Sequence, residues 1–297
     1  KDNIFKSMGY DYYYVEDGNN VESLIKTFTK VKDSNKPVVV HIHTLKGKGY
    51  EPAEQDKETY HWQLPGFIER AGKVQPKVET YNTITNDFIL SKKKKDPSVI
   101  AVSPATPGAT GMTKDFRKQM GENYTDVGIA EQHAITMSAG MAKEGMIPVI
   151  PIYSSFYQRA YDQVIHDVAM QNLPVIMCVD RAGCVGADGE THQGTLDMAF
   201  FRLVPNLTIM APKDFKELED MLEFAVKLNK PVIIRYPRGG EDSKVKFERH
   251  ENIELGKAEV LKKIIDEEKS NKTKILQKIG DKVFNNKTQR ERVTIIA

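Results

Sequence analysis

From Tyr81 onwards, short apolar runs typical of buried strands alternate with stretches that have the spacing of amphipathic helices. The strand-like runs are Val99–Val102, Tyr124–Val127, Val149–Ile152, Val175–Val179, Thr208–Met210 and Val232–Arg235. Helices are predicted over Thr83–Lys93, Glu131–Lys143, Phe156–Met170 and Phe215–Leu228. This alternation predicts an α/β fold with a doubly wound, mostly parallel sheet. Ligands of such sheets bind beyond the carboxyl ends of the strands, so residues that follow a strand are the first candidates for a functional site.

The part of the chain before the sheet predicts an incomplete domain and a linker. Residues 1–50 have a β-α-β pattern, with strands at Tyr10–Val15 and Pro37–His43 and a helix at Val21–Val31. We expect them to be the C-terminal part of a larger domain. Residues 51–80 are punctuated by proline and glycine, which is typical of a linker.

The main sheet domain is predicted over residues 81–245, and a second partial domain follows it. Residues 246–291 predict a connection that is partly disordered, because residues 262–291 are rich in Lys, Asn and Glu and almost free of aromatic side chains. Residues 292–297 predict the first strand of a C-terminal domain that lies beyond this sequence.

Charge and cysteine content exclude several classes of protein. The formal net charge of +2 over 297 residues gives no argument for nucleic acid or an anionic membrane as a partner. Lys92–Lys95 are explained by a solvated helix end, where cations are favoured. No apolar run approaches the ~20 residues that a membrane span needs. We expect Cys178 and Cys184 to be unpaired and the protein to be cytoplasmic.

The segment Asp126–His133 places a carboxylate, Glu131, where a short apolar segment is predicted to turn into a helix. Apolar surroundings favour the protonated form of a carboxyl group. Such a group is suited to exchanging a proton with a heterocyclic nitrogen near neutral pH. Glu131 is therefore the first candidate for a catalytic residue.

Two further candidates open the helix predicted after the run Val149–Ile152. Phe156 could stack on a flat heterocycle, although a lone phenylalanine in this position is more often a core residue. Arg159, one helical turn later, could form an ion pair within its own helix. Alternatively, its planar guanidinium could hold a phosphate or a carboxylate.

A glycine-rich loop follows the run Val175–Val179. Arg181 stands at the carboxyl end of that run, and the glycines after it can bring backbone amides close to an anion. Asp188 and His192 lie in the same loop, where a proton-transfer role and a structural role are both open for the histidine. Arg238, in the loop after Val232–Arg235, is another candidate for holding an anionic group.

Two more candidates precede the sheet domain. Lys46 lies in a Lys-Gly-Lys-Gly sequence that could approach a diphosphate, although a plain turn explains it equally well. His61 lies in the predicted linker, and its local sequence indicates no role. His41 and His43 alternate along a predicted strand and are interpreted as structural residues, so the sequence predicts no metal ligands in this chain.

Six motifs, taken together, resemble the 1-deoxy-D-xylulose-5-phosphate synthase family of thiamine diphosphate enzymes. The similarity in order and spacing runs over roughly residues 9–260, and its joint specificity is high. The motifs are Lys46–Glu54, Asp126–His133, Tyr153–Ala169, Asp180–Gly183, Asp188–Gly194 and Arg235–Gly239.

The resemblance implies thiamine diphosphate as the cofactor. It also implies that residues 1–50 belong to the domain that binds its diphosphate and that residues 81–245 are the domain that binds its pyrimidine. Glu131 would hydrogen-bond N1′ of its aminopyrimidine ring, Phe156 would stack on that ring, and Ile129 would also contact the cofactor. Lys46 and His61 match residues that the family uses near the cofactor and pyruvate. Because proton transfer through N1′ activates the cofactor, Glu131 would be the residue on which catalysis depends.

The resemblance also implies the reaction, which is the work of a transferase. Pyruvate would be decarboxylated and joined to D-glyceraldehyde 3-phosphate, giving the first step of the non-mevalonate isoprenoid pathway. Arg159 and Arg238 would hold the phosphate, and Arg181 would lie near the substrate. Tyr153, Asp188 and His192 would orient the aldehyde and transfer protons.

One departure from the family pattern concerns the metal. These enzymes bind Mg²⁺ and the diphosphate through a Gly-Asp-Gly motif followed further along by an asparagine, and this chain lacks that pair. We expect the Mg²⁺ ligands upstream of this chain, and we expect the polypeptide to be inactive without them. A homodimer is expected from the family.

Three alternatives stay open. Transketolase and the β subunit of pyruvate-dehydrogenase-type E1 enzymes bind the pyrimidine of the cofactor with the same kinds of residue. Transketolases tend to carry His-Asp-Ser where this chain has Asp180–Gly183, which favours the synthase. A non-catalytic binding module on the same fold predicts loss of the acid or of the aromatic residue, but Glu131 and Phe156 are both present.

Overall fold

The computed structural model describes residues 3–61, 63, 65–67, 78–241 and 252–259. The chain divides into two compact units, Lys1–Pro76 and Lys77–Ala297. We call them the first and the second unit and describe each by itself. Residues 242–251 and 260–297 lie outside the described residues, so the predicted connection, apart from residues 252–259, and the predicted strand at 292–297 stay predictions.

The first unit contains the β-α-β pattern that its sequence predicts. Strands β1 (Asp11–Val15) and β2 (Val38–Ile42) are parallel, and the helix Val21–Val31 connects them. The side chain of Asn20 caps this helix by accepting a hydrogen bond from the backbone N–H of Ser23. Short helices occupy Ile4–Ser7 and Glu51–Gln55.

The helix Glu51–Gln55 lies inside the segment predicted as a linker. Its proline, Pro52, falls in the first turn, where the missing N–H costs no helical hydrogen bond. The prediction treated proline only as a signal for irregular structure and so missed this helix.

The second unit is a six-stranded, fully parallel sheet. Its strands are β3 (Val99–Ser103), β4 (Tyr124–Asp126), β5 (Ile147–Tyr153), β6 (Ile176–Asp180), β7 (Thr208–Met210) and β8 (Val232–Arg235). Their spatial order is β4-β3-β5-β6-β8-β7, and every pairing is parallel. The predicted α/β fold is confirmed.

Helices cover both faces of this sheet, which makes it doubly wound. Alternate residues of β3, β5, β6 and β8 enter two separate apolar cores. One core includes the helices Tyr81–Lys95, Lys114–Met120 and Phe215–Leu228. The other includes the helices Glu131–Lys143 and Asp197–Phe201 and the helical segment after β5. The central strands are buried on both faces, which explains their continuous apolar runs.

The predicted helical stretch Phe156–Met170 is helical over nearly its whole length, but it is not a single α-helix. The segment winds as a 3₁₀-helix over Ser154–Ala160, one α-helical turn over Tyr161–Gln163 and a π-helix over Val164–Ala169. The buried Tyr157 donates a hydrogen bond from its hydroxyl to the backbone oxygen of Ile150, 3.0 Å away, which ties the first turn to β5. Such tertiary contacts override the local preference for α-helix, and π-helical turns are often found near functional sites.

Candidate active site

The carboxyl ends of the parallel strands bring the motifs of the second unit to one edge of the sheet. Tyr153 ends β5, Asp180 ends β6 and Arg235 ends β8, and these three strands are neighbours. The loops that continue from them carry most of the candidate residues. Arg235 itself is anchored by Asp197, whose carboxylate accepts from its Nε at 2.9 Å, and both side chains are buried.

Glu131 is the first residue of the helix Glu131–Lys143, and its side chain is 3% exposed. Its Oε2 atom is buried and has no hydrogen-bond partner within the described residues. This Oε2 atom forms an ion pair with Nη1 of Arg159 at 3.6 Å, and the side chain of Arg159 is 58% exposed. A buried carboxylate oxygen without a hydrogen bond is costly, so this atom is suited to receive one from a ligand.

The loop before Glu131 is shaped by Asp126 at the end of β4. Its Oδ1 accepts hydrogen bonds from the backbone N–H groups of Gly128, at 2.9 Å, and Ala105, at 3.1 Å. Gly128 has φ +73°, a left-handed conformation that glycine adopts without strain. Ile129, the next residue, is 77% exposed and offers an apolar side chain to solvent beside the buried carboxylate.

Three rings form an aromatic cluster after β5. Tyr153 and Phe156 stack with centroids 4.9 Å apart and an interplanar angle of 6°. The ring of His192 meets both edge-on, at 5.2 Å from Phe156 and 6.0 Å from Tyr153. The predicted candidates Tyr153, Phe156 and His192 are therefore in direct contact, and Phe156 is only half-buried.

Arg181 joins this cluster to a network of charges. Its guanidinium carbon lies 3.9 Å from the ring centroid of Tyr153, a cation–π arrangement. Its Nε donates to Oδ2 of Asp188 at 2.9 Å, and the other carboxylate oxygen of Asp188 lies 3.2 Å from Nη1 of Arg238. Asp188 thus bridges two arginines that the sequence analysis proposed independently.

Burial and neighbouring charges shift the pKa values of two groups in this network, Tyr153 and Arg181. Burial raises the pKa of the Tyr153 hydroxyl to about 12, so it is a neutral donor at physiological pH. Burial opposes the charge of Arg181, but the neighbouring Asp180, Tyr153 and Asp188 more than offset this and raise its pKa above the ordinary value.

The glycine loop needs one of its glycines for a close backbone approach. Gly194 pairs with Gly183 in an antiparallel bridge. A Cβ atom on Gly194 would lie 1.9 Å from the backbone oxygen of Arg181 and 2.8 Å from Cβ of Ser154. Gln193 braces the same loop by hydrogen bonds to both backbone groups of Val185, each at 2.7 Å. These contacts fix the backbone of the loop that carries Asp188 and His192.

The two candidates of the first unit are also brought together. Nζ of Lys46 lies 2.7 Å from Nδ1 of His61, and both side chains are exposed. Lys46 lines an open cavity of about 890 Å³ within this unit, together with Asn19, Tyr50, Tyr60 and Phe67. Spacing in the sequence gave no sign that Lys46 and His61 would be neighbours.

Two findings concern metals and membranes. Within the described ranges, no group of three His, Cys, Asp or Glu residues could hold a metal ion. No helix among the described residues is both long and apolar enough to cross a membrane.

Both cysteines are free, Cys178 buried and Cys184 exposed, as the sequence predicted.

The sequence analysis missed Asn82, which contacts this network from the helix Tyr81–Lys95. Its Nδ2 donates to Oδ2 of Asp180 at 2.8 Å and to the backbone oxygen of Ala109 at 3.3 Å. The signal was present, because Asn82, Thr85 and Asn86 put polar side chains on a face that should be apolar. Asp180 was noted only as part of a motif and was given no role of its own.

Comparisons with known proteins agree with the geometry. The transketolase pyrimidine binding domain matches residues 79–240, and a 1-deoxy-D-xylulose-5-phosphate synthase family model matches residues 1–44. The 1-deoxy-D-xylulose-5-phosphate synthase of Glaesserella parasuis serovar 5 (strain SH0165) is 48% identical over 261 residues, which is 87% of this chain and 42% of that protein. The synthase of Natranaerobius thermophilus is 48% identical over 262 residues, 87% of this chain and 41% of that protein.

A solved structure shares the fold. A split gene transketolase, described as an inactive β4 tetramer, superimposes with a TM-score of 0.53 at 25% identity and covers 69% of each chain. The present chain spans about two fifths of the length of the curated relatives that it matches. It belongs to the transketolase pyrimidine binding domain family, and the curated relatives named above, which match 87% of its length, are 1-deoxy-D-xylulose-5-phosphate synthases.

Proposed function

We propose that this chain supplies the pyrimidine-binding part of an enzyme that decarboxylates pyruvate and joins the remaining two carbons to D-glyceraldehyde 3-phosphate, giving 1-deoxy-D-xylulose 5-phosphate. The observation that carries the proposal is the buried Oε2 of Glu131, whose one contact with a cation among the described residues is a 3.6 Å ion pair with the exposed Arg159 and which accepts no hydrogen bond from them. An isolated structural carboxylate in that position would be expected to find a partner.

The residues around Glu131 fit thiamine diphosphate. When bound, this cofactor supplies a nucleophilic carbon and an electron sink for the decarboxylation. The carboxyl of Glu131 shares a proton with N1′ of the aminopyrimidine. The exposed Ile129 and the half-buried Phe156 offer apolar surface to the ring.

The arginines of the second unit fit the charges of the substrates. Arg159 and Arg238 reach solvent, with side chains 58% and 34% exposed, and they hold the phosphate of the aldehyde. Arg181 is buried and faces the same cluster from the other side of Asp188. Fixed cations of this kind position an anion at little cost in reorganisation.

Proton transfer to the aldehyde oxygen is assigned to Tyr153, Asp188 and His192. The neutral hydroxyl of Tyr153 can donate a hydrogen bond, and its ring contacts that of His192. His192 is fixed by Thr191, whose hydroxyl lies 2.8 Å from Nδ1, which leaves Nε2 for the substrate. An imidazole held in this way can serve as a general acid–base group.

Lys46 and His61 are assigned to the diphosphate and pyruvate side of the cofactor. Their mutual contact at 2.7 Å places a cation and an imidazole beside an open cavity of the first unit. We place the Mg²⁺ ligands in the part of the curated relatives that this chain does not match. We also propose a homodimer, and the two free cysteines fit a cytoplasmic location.

A substrate comparison tests the proposal. The protein as it occurs in its source organism is supplied with thiamine diphosphate and Mg²⁺ and assayed with pyruvate plus D-glyceraldehyde 3-phosphate, and separately with ketose donors. We expect carbon dioxide release only with pyruvate. Transfer from a ketose without decarboxylation of pyruvate would instead assign the protein to transketolase chemistry.

A further inference from the structure

We propose that Asn82 and Asp180 are positioning residues that fix the guanidinium of Arg181 for an anionic substrate. The inference deepens the proposed function and rests on it. Among the described residues, neither side chain has a hydrogen bond or an ion pair with the aromatic cluster, Arg159 or Arg238, although the backbones of Asp180 and Tyr153 pair between β6 and β5. We therefore assign both side chains a role through Arg181.

Asp180 holds Arg181 by both its backbone and its side chain. Asp180 is 0% exposed. Its Oδ1 accepts from the backbone N–H of Arg181 at 2.7 Å, and its Oδ2 forms an ion pair with Nη1 of the same residue. A buried carboxylate without such partners would be strongly disfavoured.

The backbone of Arg181 needs this support. Its φ is +58°, in the left-handed region that residues with a Cβ atom rarely adopt. Backbone conformations of this kind persist where the surroundings enforce them, and they are concentrated at functional sites. The hydrogen bond from its N–H to Asp180 stabilises the turn that directs the side chain back over Tyr153.

Asn82 completes a closed ring of contacts. Nη1 of Arg181 donates to the backbone oxygen of Ala109 at 3.1 Å and pairs with Oδ2 of Asp180. Nδ2 of Asn82 donates to these same two oxygens, at 3.3 and 2.8 Å. The asparagine therefore fixes the two acceptors that together determine where Nη1 lies.

This ring leaves one nitrogen of Arg181 for a ligand. Nη1 is held by Asp180 and Ala109, and Nε is held by Asp188. Among the described residues, Nη2 has no recorded partner. Because the guanidinium is planar and rigid, fixing Nε and Nη1 also fixes the direction in which Nη2 donates. Nη2 therefore remains as one donor nitrogen whose orientation is defined.

Asn86 provides a matched control for a purely structural role of Asn82. It lies one turn later on the same helix, is 4% exposed, and donates from Nδ2 to the backbone oxygen of Thr110 at 3.0 Å. That oxygen belongs to the residue after Ala109. Asn86 therefore ties the same helix to the same loop but has no recorded contact with Asp180 or Arg181.

The experiment is a double-mutant cycle in the protein as it occurs in its source organism, loaded with thiamine diphosphate and Mg²⁺. The variants are Asn82→Ala, Asn86→Ala, Arg181→Ala and the double variant Asn82→Ala with Arg181→Ala. The readouts are KM and kcat for each substrate, the melting temperature, and the dissociation constant of inorganic phosphate from calorimetric titration. Asn82→Ser repeats the test if Asn82→Ala does not fold.

We expect Asn82→Ala to raise the KM of an anionic substrate about 5-fold, the size expected from the net contribution of one hydrogen bond. Asn86→Ala should lower the melting temperature about as much as Asn82→Ala does, but it should leave KM unchanged. In the Arg181→Ala background, Asn82→Ala should have no further effect, because coupled residues are not additive.

Two results would overturn the positioning role. One is an equal rise of KM in Asn82→Ala and Asn86→Ala, and the other is full additivity of Asn82→Ala and Arg181→Ala. Failure of the proposed function looks different. A parent protein that binds phosphate but does not turn over pyruvate would refute the proposed function. The double-mutant cycle would then still test the positioning role through the dissociation constants of phosphate. A parent protein that does neither would contradict both.

Discussion

Two helices, one in each unit, differ in how much of their apolar surface is buried. In the first unit, the helix Val21–Val31 buries none of its residues, and Val21, Ile25 and Phe28 are 67%, 60% and 47% exposed. In the second unit, the helix Glu131–Lys143 buries Ile135 at 0% exposure. The pattern identifies the face that can be buried, but burial requires an opposing surface, and the six-stranded sheet provides one on each side.

The same contrast extends to the candidate site residues. In the second unit, Glu131 and Arg181 are 3% and 6% exposed and are held by packed elements. In the first unit, Lys46 and His61 are exposed, and they contact each other. Catalytic geometry depends on side chains that are fixed by their neighbours. We therefore expect substitutions in the second unit to have the larger effects.

The largest expected effect is that of Glu131→Gln, which keeps the size of the side chain but removes its charge. We expect proton exchange at C2 of bound thiamine diphosphate to slow on the order of 10²–10⁴-fold, the range for loss of an acid–base group. Proton NMR in deuterated buffer measures the exchange. Glu144→Gln, at the exposed end of the same helix, is the control and should exchange normally. Parent-like exchange in Glu131→Gln would refute the assignment.

A pair of identical substitutions tests the contrast between the units directly. In the 297-residue chain, Ile135→Ala should lower the free energy of unfolding by about 2–5 kcal/mol, because it leaves a cavity in a packed core. Ile25→Ala, on the exposed face of the first unit, should change it by less than about 0.5 kcal/mol. Urea denaturation measures both. A comparable loss for Ile25→Ala would mean that this face is covered in solution.

Much of the fold could be predicted because the sheet is regular. Continuous apolar runs predicted β7 and β8 at their observed bounds. Helical periodicity did the same for the helices Glu131–Lys143 and Phe215–Leu228. The short helices Lys114–Met120 and Asp197–Phe201 were missed, because segments of five to seven residues carry too few turns to establish a period. The helical stretch after β5 was predicted, but its mixed winding was not, because that winding depends on tertiary contacts such as that of Tyr157 with Ile150.

The site was predictable to a similar, limited extent. Rules for parallel sheets and the motif resemblance indicated which residues gather at the strand ends. They did not indicate that Asp188 bridges Arg181 and Arg238, or that Asn82 contacts Asp180. These contacts join residues up to 98 positions apart, and their distances are set by the packing of whole elements.

The next prediction compares two glycines of the loop after β6. Gly194→Ala would place a methyl group 1.9 Å from the backbone oxygen of Arg181, so the loop must shift. We expect a loss of about 1–3 kcal/mol in the free energy of unfolding, as for other overpacked sites. Gly186→Ala is the control, because a Cβ atom there meets nothing within 4 Å. Thermal and urea unfolding of the two variants distinguish them, and equal stability would mean that the bridge between Gly183 and Gly194 is not maintained in solution.

A smaller effect is expected from Arg238→Ala, and it appears only in substrate binding. The side chain of Arg238 is 34% exposed and pairs with Asp188, so its removal should not unfold the sheet. We expect the KM for D-glyceraldehyde 3-phosphate to rise about 10-fold, since a hydrogen bond to a charged group is lost. Pyruvate is the internal control, and its KM should change less. Equal changes for the two substrates would make the arginine a structural residue.

The smallest effect concerns the ionisation of Tyr153. Burial raises the pKa of its hydroxyl from 10.0 to about 12, so the folded protein keeps this proton more tightly than the unfolded chain does. Stability from this group is therefore complete below pH 10 and is lost as the pH rises towards 12. The absorbance of tyrosinate is measured during alkaline titration of the parent chain and of Tyr153→Phe. The difference between the two curves reports Tyr153 alone, and it should rise only near pH 12. A rise near pH 10 would mean that Tyr153 is open to solvent, and the packing of its ring against Phe156 and Arg181 would then have to be abandoned.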